Sequence, residues 1–326
     1  MAYRRSVYIK AKNTLDARRR KAESEQEQRR AAAIAVCPEI GDVERDMARF
    51  AADVIKSVSM GKDAEQYVLS LSQKNLEAQE KRKRLLLSAG LPEDYLEVKY
   101  TCPLCKDTGA HGGYYCKCYL DLLKKAAKQE LGVAASMEKC TFDSFNVDYY
   151  SNETDSSFGI SPRLMAQGTL RFCREYAENF SHSSSNIIMT GKTGVGKTHL
   201  SLAIAGRVID RGFDVYYASV HKIMDKLQKE QFSRERIEES INDRLFESDL
   251  LVIDDLGAEF STQFTVAALY NIINTRINAS LPMIINTNLT LAELEERYSQ
   301  RVASRIIVNS DRVLLIGSDI RQKLSK

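Results

Sequence analysis

Residues 186–200 read NIIMTGKTGVGKTHL, in which an apolar run leads into a glycine-rich turn and the turn into a second apolar run. The turn, GKTGVGKT at 191–198, fits the pattern G-x-x-x-x-G-K-[ST] between a strand and a helix, the context of a phosphate-binding loop. There the backbone N–H groups and the helix N-terminus surround phosphate oxygens. The predicted nucleotide-binding residues in this loop are Gly191, Lys192, Thr193, Gly194, Val195, Gly196, Lys197, Thr198 and His199.

This loop predicts ATP and Mg²⁺ as cofactors. Lys197 can reach the β and γ phosphates, and Thr198 can offer its hydroxyl to Mg²⁺. A glycine-rich turn that binds no ligand is the alternative interpretation.

A second stretch, LLVIDDLGAEF at 250–260, places Asp254 and Asp255 at the carboxyl end of a buried strand, where ligands bind in open α/β sheets. We expect Asp254 to bind the cofactor through Mg²⁺ and Asp255 to polarise the attacking water. Asp255 is one methylene shorter than the glutamate common at this position, so its reach, and with it the hydrolysis rate, stays open. Glu259 could take its role and is the weaker candidate. The two aspartates could instead cap the following turn.

Further catalytic candidates follow the later strands. Asn288 ends the strand-like run PMIINTN, and its amide can lie between the water and the γ-phosphate or serve a plain turn. If ERYSQRVASRI at 296–306 is one helix, three arginines spaced by four share one face, which suits a phosphate target or a solvated basic surface. These arginines are Arg297, Arg301 and Arg305, and Arg321 follows the last strand as another candidate for the nucleotide.

Strand-like and helix-like runs alternate after residue 161, which predicts a parallel sheet covered by helices. The strand-like runs are NIIMT, FDVYYAS, LLVID, MIINTN and VLLIG. We therefore predict an α/β domain at 161–326, preceded by a linker at 136–160 that is rich in Ser, Asp and Asn.

Composition narrows the class of protein. With 326 residues, 44% of them hydrophobic, the chain can form one sizeable domain and a smaller module. It contains no apolar stretch of membrane-spanning length and no secretory signal, so we expect a cytoplasmic protein without a membrane partner. The net charge of +3 is too small to indicate a partner.

Residues 1–90 predict a helical, basic segment. Residues 1–30 hold ten Lys/Arg against four Asp/Glu and no apolar stripe, which is typical of a solvated, partly frayed helix or of a nucleic-acid-binding tail. Two amphipathic helices follow, one near 43–54 and one over 63–90. They suggest a hairpin or a surface for a partner helix.

Residues 91–135 predict a zinc-binding module. TCPLCKDTGAHGGYYCKC at 101–118 spaces four cysteines as C-x2-C, ten residues, C-x-C, which suits a closed structural Zn²⁺ site. The predicted zinc ligands are Cys102, Cys105, Cys116 and Cys118. The alternatives are a site that uses His111 in place of Cys116 or Cys118, and a redox C-x-x-C.

Together these motifs resemble those of the AAA+ ATPases of the DnaC/DnaI type, bacterial replicative helicase loaders within the IstB/DnaC-like group. The resemblance covers about residues 90–324 and rests on GKTGVGKTHL, LLVIDDLGAEF, NTNLT, RVASRI, SDIR and the upstream LPEDYLEVKYTCPLCKDTG. It implies that Asn288 is sensor 1, that Arg305 is the arginine finger with Arg301 as second choice, and that Arg321 is sensor 2.

The resemblance also implies a weak ATPase, stimulated by DNA or a partner, that binds a hexameric replicative DNA helicase and single-stranded DNA and can self-assemble with ATP. The cysteine module would dock on the helicase. Lys222, Lys226 and Lys229 in the stretch 221–239 could track DNA phosphates or form a solvated face. An IstB-like helper of DNA transposition is the alternative function, and a P-loop kinase is a third.

Overall fold

The computed structural model describes residues 3–57, 64–232 and 240–321. The chain divides into two compact units. The first, Ala11–Leu120, is here called the helical unit, and the second, Met1–Lys10 with Asp121–Lys326, the sheet unit. Among the helices within the described ranges, none combines the length and apolar character needed to cross a bilayer.

The helical unit is built on long helices. It contains most of α1 Arg5–Val36, then α2 Pro38–Ser57, α3 Ala64–Ser88 and the strands β1 Ala110–His111 and β2 Tyr114–Tyr115. The next helix, α4 Lys117–Glu130, begins in this unit and continues in the sheet unit. Helices α2 and α3 correspond to the two predicted amphipathic helices, and they pack along each other. A small apolar cluster of this unit contains Ala33, Ile40, Leu86 and Leu96.

The basic N-terminal segment differs from the solvated helix that we predicted. Leu15 and Ala22 on α1 are buried, and Arg29 further along the helix has specific partners. Arg29 donates from Nε to the carbonyl of Tyr95 at 3.0 Å and from Nη2 to that of Glu97 at 3.0 Å. A few buried apolar side chains, and the hydrogen bonds from Arg29 to the segment 95–97, therefore stabilise the helix in its unit. Neither feature produces the continuous stripe that periodicity analysis detects.

The sheet unit contains five parallel strands in the order β4-β5-β6-β3-β7. The strands are β3 Asn186–Thr190, β4 Val215–Ser219, β5 Leu250–Leu256, β6 Met283–Thr287 and β7 Ser310–Leu314. The helices are α5 Ala134–Lys139, α6 Pro162–Asn179, α7 Lys197–Asp210, α8 Val220–Phe232, α9 Ile241–Glu247, α10 Gln263–Asn278, α11 Leu291–Tyr298 and α12 Gln300–Val308. This arrangement confirms the predicted fold class, a parallel sheet flanked by helices.

The central strands are apolar because helices cover both faces of the sheet. In β5 every residue except Asp255 is buried. Since β5, β6 and β3 are neighbours and run parallel, their carboxyl ends meet at one edge. That edge carries the phosphate-binding loop, the two aspartates and Asn288.

Two predicted segments differ from the structure. The last strand begins at Ser310 rather than at Val313, because Asn186 pairs with Ser310 and Thr190 with Leu314. Its polar residues Asp311 and Arg312 are exposed, so this part of the strand lacks the apolar run from which strands were predicted.

The predicted linker, 136–160, folds onto the sheet unit. It includes part of α5 and a 3-10 helix at Val147–Tyr149. Phe145 and Tyr150 are buried at 7% and 3% exposure, so this segment is packed rather than extended. The two units divide between Leu120 and Asp121 instead.

Candidate nucleotide site and cysteine cluster

The phosphate-binding loop joins β3 to α7. Lys197 is the first residue of α7, and its amine donates to the carbonyls of Gly191 at 2.7 Å and Lys192 at 2.8 Å, and to Oδ1 of Asn288. Gly196 before it adopts φ +97°, the left-handed conformation that lets the helix begin abruptly. The amine is thus held among oxygen acceptors at the centre of the loop, where phosphate oxygens can replace them.

Burial lowers the pKa of Lys197 from 10.5 to about 8, although the nearby Asp255 and Asp254 act in the opposite direction. Phosphates next to the amine favour its protonated form and raise this pKa again. We therefore expect net proton uptake when ADP binds without metal at about pH 9, and much less at pH 7, where the amine is already protonated. Calorimetry in two buffers of different ionisation enthalpy measures this. Equal uptake at both pH values, or uptake that persists in Lys197→Arg, would contradict it.

Asp254 is buried at 6% exposure at the end of β5. Its Oδ1 accepts hydrogen bonds from the Thr198 hydroxyl at 3.2 Å, the Asn286 amide at 2.8 Å and the backbone N–H of Asp255 at 3.1 Å. Its Oδ2 accepts from the Tyr217 hydroxyl at 2.6 Å. A hydroxyl and a carboxylate in contact are oxygen ligands of the kind that Mg²⁺ prefers. Thr198 and Asp254 therefore fit the predicted metal role.

Asp255 is exposed beside this pair and adopts φ +56°, a left-handed conformation that is strained for a residue with a side chain. The strand pairing shifts register between Ile253 and Leu256, which turns the Asp255 side chain out of the sheet. Burial and then the neighbouring Asp254 raise its pKa. A carboxyl with a raised pKa that faces a cavity can act on a water.

Glu259, the weaker substitute, has a structural function. It is 2% exposed; its Oε2 accepts from the Gly257 N–H at 3.0 Å and its Oε1 from the Tyr298 hydroxyl. Both carboxylate oxygens are engaged away from the loop. Of these two carboxylates, Asp255 is therefore the one that lines the cavity beside the loop.

A cavity of about 830 Å³ opens at this edge of the sheet. Predicted residues that line it are Thr193, Gly194, Gly196, Lys197, Thr198, His199, Asp255, Asn288 and Arg321. Gly191, Lys192 and Val195 do not line it; they shape the loop, and Val195 is fully buried. The volume suits a nucleotide-sized ligand.

The predicted linker forms one wall of this cavity, a role that its sequence did not indicate. Phe145, Tyr149 and Tyr150 line it, and the Tyr150 hydroxyl donates to the carbonyl of Val195 in the loop at 2.7 Å. Nε2 of His199 lies 2.8 Å from the carbonyl of Thr141, which links α7 to the same segment. Aromatic rings beside a phosphate site can receive a nucleobase. The cluster of aromatic residues in this segment was the only sequence feature that could have indicated the wall, but their spacing follows neither a helical nor a strand period.

The C-terminal segment closes the other side of the loop. The Ile320 N–H donates to the Gly194 carbonyl at 3.1 Å, and a Cβ on Gly194 would lie 1.9 Å from Oδ1 of Asp319. Only glycine fits here, also because its φ is +78°. Arg321 lines the cavity from this segment, as its prediction requires.

The three spaced arginines do not share one helix, which corrects that expectation. Ser299 adopts φ +76° and separates α11 from α12. Arg297 donates from Nη2 to the carbonyl of Glu259, so it serves the fold. Arg301 and Arg305, both on α12, place their guanidinium carbons 5.5 and 5.3 Å from the ring centroid of Tyr270. Neither belongs to the described residues that line the cavity.

The four cysteines come together in the helical unit, with their sulfur atoms all within 4.8 Å of one another. Sulfur atoms of Cys102 and Cys116 are 3.8 Å apart, and those of Cys105 and Cys118 are 3.4 Å apart. Tetrahedral zinc with bonds of about 2.3 Å requires sulfur separations of about 3.8 Å, so the donor set fits Zn²⁺. The cluster found among the described residues contains no histidine, and His111 is exposed.

Asp107 supports the cluster, a function that sequence analysis missed. It is 1% exposed, with φ +56°, and its carboxylate accepts from the N–H groups of Thr101 at 2.8 Å and Cys102 at 3.0 Å. The backbone N–H of Cys105 lowers the pKa of the Cys102 thiol to about 7. Short-range hydrogen bonds therefore hold the backbone at the first pair of cysteines.

The sheet unit is similar to proteins that are already known. A family profile described as "IstB-like ATP binding protein" matches residues 166–323. The "Replicative helicase loader DnaC" of Escherichia coli (strain K12) is 25% identical over 175 residues, 54% of this chain and 66% of that protein. The loader DnaC of Buchnera aphidicola subsp. Baizongia pistaciae is 26% identical over 151 residues, 46% of this chain and 61% of that protein. The chain thus spans less than two thirds of the length of either relative.

Solved structures with a similar fold include the DnaC helicase loader, with a TM-score of 0.47 and 22% identity over 55% of this chain and 98% of that one. DnaI follows, with a TM-score of 0.45 and 19% identity over 57% of this chain and 93% of that one. Together with the profile match, the DnaC relatives confirm the resemblance seen in the motifs. Residues 166–323 therefore match the family described as "IstB-like ATP binding protein", and the DnaC relatives are similar to the chain over 46–54% of its length.

Proposed function

We propose that this protein is an ATP-dependent helicase loader, which binds the hexameric replicative DNA helicase and places it on single-stranded DNA. The observation that carries the proposal is the meeting of Lys197, Asp254 and Asn288 at one sheet edge beside a nucleotide-sized cavity. The family match and relatives named as helicase loaders support it. These relatives match 54% and 46% of this chain.

ATP binding and hydrolysis act as the switch. Lys197 and the loop amides bind the phosphates, while Thr198 and Asp254 hold Mg²⁺, which neutralises charge on the phosphates. Asp255 polarises the attacking water, and Asn288, one hydrogen bond from Lys197, orients that water toward the γ-phosphate. Arg321 senses the nucleotide from the C-terminal segment. Turnover is slow, because the short Asp255 side chain reaches less far than glutamate.

Arg305, with Arg301 as second choice, completes the site of a neighbouring copy of the chain. Both guanidinium groups lie over Tyr270, outside the cavity of their own chain. An arginine that does not reach its own nucleotide can stabilise charge on a nucleotide across a subunit interface. ATP-dependent self-assembly follows from this arrangement.

The cysteine module docks on the helicase. The four cysteines hold zinc, which supplies folding energy to a segment with a small core. Leu104, Tyr114 and Tyr115 next to the ligands are 58%, 81% and 64% exposed. Exposed apolar side chains on a rigid module are typical of a protein-binding surface.

Single-stranded DNA is the second macromolecular partner. Lys222, Lys226 and Lys229 are exposed on α8 and present positive charge that can neutralise phosphates. Residues 233–239 of the same candidate stretch lie outside the described residues.

The reduced thiols that a zinc site requires favour the cytoplasm as the compartment of this protein.

We expect the protein and the replicative helicase of its host to form a complex of defined stoichiometry with ATP, measured by light scattering on a sizing column. Zinc removal, or the double substitution Tyr114→Ser with Tyr115→Ser, should abolish the complex, while the exposed change Tyr67→Ser on α3 should leave it intact. The reason is that docking uses the cysteine module and not the nucleotide domain.

The same experiment separates the second candidate, an IstB-like ATPase helper of DNA transposition, which is considered because the matching family is named for IstB. That function requires assembly on DNA with ATP and no helicase. If no helicase complex forms with ATP or ADP while the protein alone assembles on DNA, the loader proposal fails and the transposition helper replaces it.

A further inference from the structure

The orientation of Asp254 depends on residues that the nucleotide motifs do not contain. Tyr217 lies on β4, whose Ser219 pairs with Asp254 on β5. Side chains two residues apart on a strand share a face of the sheet. The Tyr217 phenol can therefore reach along the sheet to Asp254, and its hydroxyl donates to Oδ2 at 2.6 Å.

The Tyr217 hydroxyl donates to Asp254 from a buried position, since the side chain is only 5% exposed. The short bond to a charged acceptor is of the stronger class of hydrogen bonds.

Asn286 on β6 holds the other carboxylate oxygen. It is fully buried, and its Nδ2 donates to Oδ1 of Asp254 at 2.8 Å and to the hydroxyl of Ser201 at 2.8 Å. Its Oδ1 has no partner among the described residues. A buried carbonyl without a hydrogen bond destabilises the fold. The orientation of the Asn286 amide is therefore set by its two N–H donations, to Asp254 and Ser201.

Ser201 closes the network through α7. It lies one turn beyond Thr198, donates to the Thr198 carbonyl at 3.1 Å and lies 3.2 Å from the Tyr217 hydroxyl. The helix that carries Thr198 and the strand that carries Asp254 are thus linked by buried polar contacts. Strands β4 and β6 supply these contacts from both sides of β5.

We propose that Tyr217 and Asn286, braced by Ser201, are positioning residues that fix the Asp254 carboxylate against Thr198 for Mg²⁺ binding. The inference rests on the proposed Mg–ATP function of this site. A carboxylate held from both oxygens loses little rotational freedom when it engages the metal or its water. Partners of metal ligands typically change metal affinity or activity by about 10–100-fold when they are removed.

The chain offers a matched control. Tyr216 is the neighbour of Tyr217 on β4, is similarly buried at 6% exposure, and its hydroxyl has no partner among the described residues. Tyr216→Phe and Tyr217→Phe thus remove the same atom from adjacent positions on opposite faces of one strand. Only the second change removes a bond to Asp254.

The experiment titrates Mg²⁺ against binding of a fluorescent ATP analogue to the full chain. We expect Tyr217→Phe to raise the half-saturating Mg²⁺ concentration about tenfold and to leave metal-free analogue binding unchanged, while Tyr216→Phe changes neither. In the background of Asp254→Asn, the effect of Tyr217→Phe should vanish, because it acts through that carboxylate.

An unchanged or lower Mg²⁺ requirement in Tyr217→Phe overturns the inference, even if the melting temperature falls, because the network would then serve only the fold. A persistent effect in the Asp254→Asn background also overturns it. If the wild-type chain binds the analogue without any dependence on Mg²⁺, the proposed Mg–ATP function itself fails. These outcomes are distinct in one titration.

Discussion

Lys197→Ala is expected to lower ATP turnover by about 10²–10³-fold, as removal of a charge-stabilising donor does in other enzymes. The Lys197 amine lies at the centre of the loop, between the carbonyls of Gly191 and Lys192 and the amide of Asn288. The fold should not lose stability, because burial already disfavours the charged amine. Phosphate release and thermal melting measure the two effects. The exposed Lys125→Ala on α4 is the control.

Mixing experiments extend this prediction to the arginines. Arg305→Ala should also lose most turnover but keep nucleotide binding, because Arg305 lies outside its own cavity. When Lys197→Ala and Arg305→Ala chains are mixed, an Arg305→Ala chain with an intact loop can receive Arg305 from a Lys197→Ala neighbour. Partial recovery of activity is therefore expected. No recovery at any mixing ratio would contradict an arginine supplied between subunits.

Cys105→Ser is expected to remove zinc from the protein and to unfold the cysteine module. Cys105 is buried and supplies one of the four sulfur atoms of the cluster, and serine is a poor zinc ligand by comparison with a thiolate. Structural zinc sites contribute about 10–16 kcal/mol of binding free energy to folding in small metal-binding peptides, so few modules of this size fold without it. Metal analysis should fall from one zinc per chain to near zero, and hydrogen exchange over residues 101–118 should accelerate.

Cys37→Ser is the matched control, since Cys37 is half-buried in the same unit but lies outside the cluster. It should keep one zinc per chain. The wild-type protein purified without zinc, yet protected over residues 101–118, would contradict the zinc prediction. Retention of zinc by Cys116→Ser or Cys118→Ser, together with its loss in His111→Ala, would instead support the histidine alternative.

Several features were predictable because their physical cause is local in sequence. The loop GKTGVGKT requires glycines and a lysine at fixed spacing between a strand and a helix, and the structure has that context from β3 to α7. The buried strand before Asp254 needed only a continuous apolar run. The cysteine spacing brought four sulfur atoms together, because short loops leave few other arrangements.

Other features depend on contacts between distant residues. The helix break at Ser299 follows a backbone conformation that the four-residue spacing of the arginines does not reveal. Phe145 and Tyr150 join the nucleotide cavity through packing against the loop, although their segment has the composition of a linker.

The sequence by itself therefore determined which residues are candidates to bind phosphate and metal, because short motifs and the strands and helices that adjoin them are visible in it. Only the tertiary structure decided how Asp254 is held and where the arginines lie. Tyr217 and Asn286 are 37 and 32 residues from Asp254 in sequence, yet both bond to it. Parallel strands place distant residues side by side, and burial then makes each of those hydrogen bonds necessary.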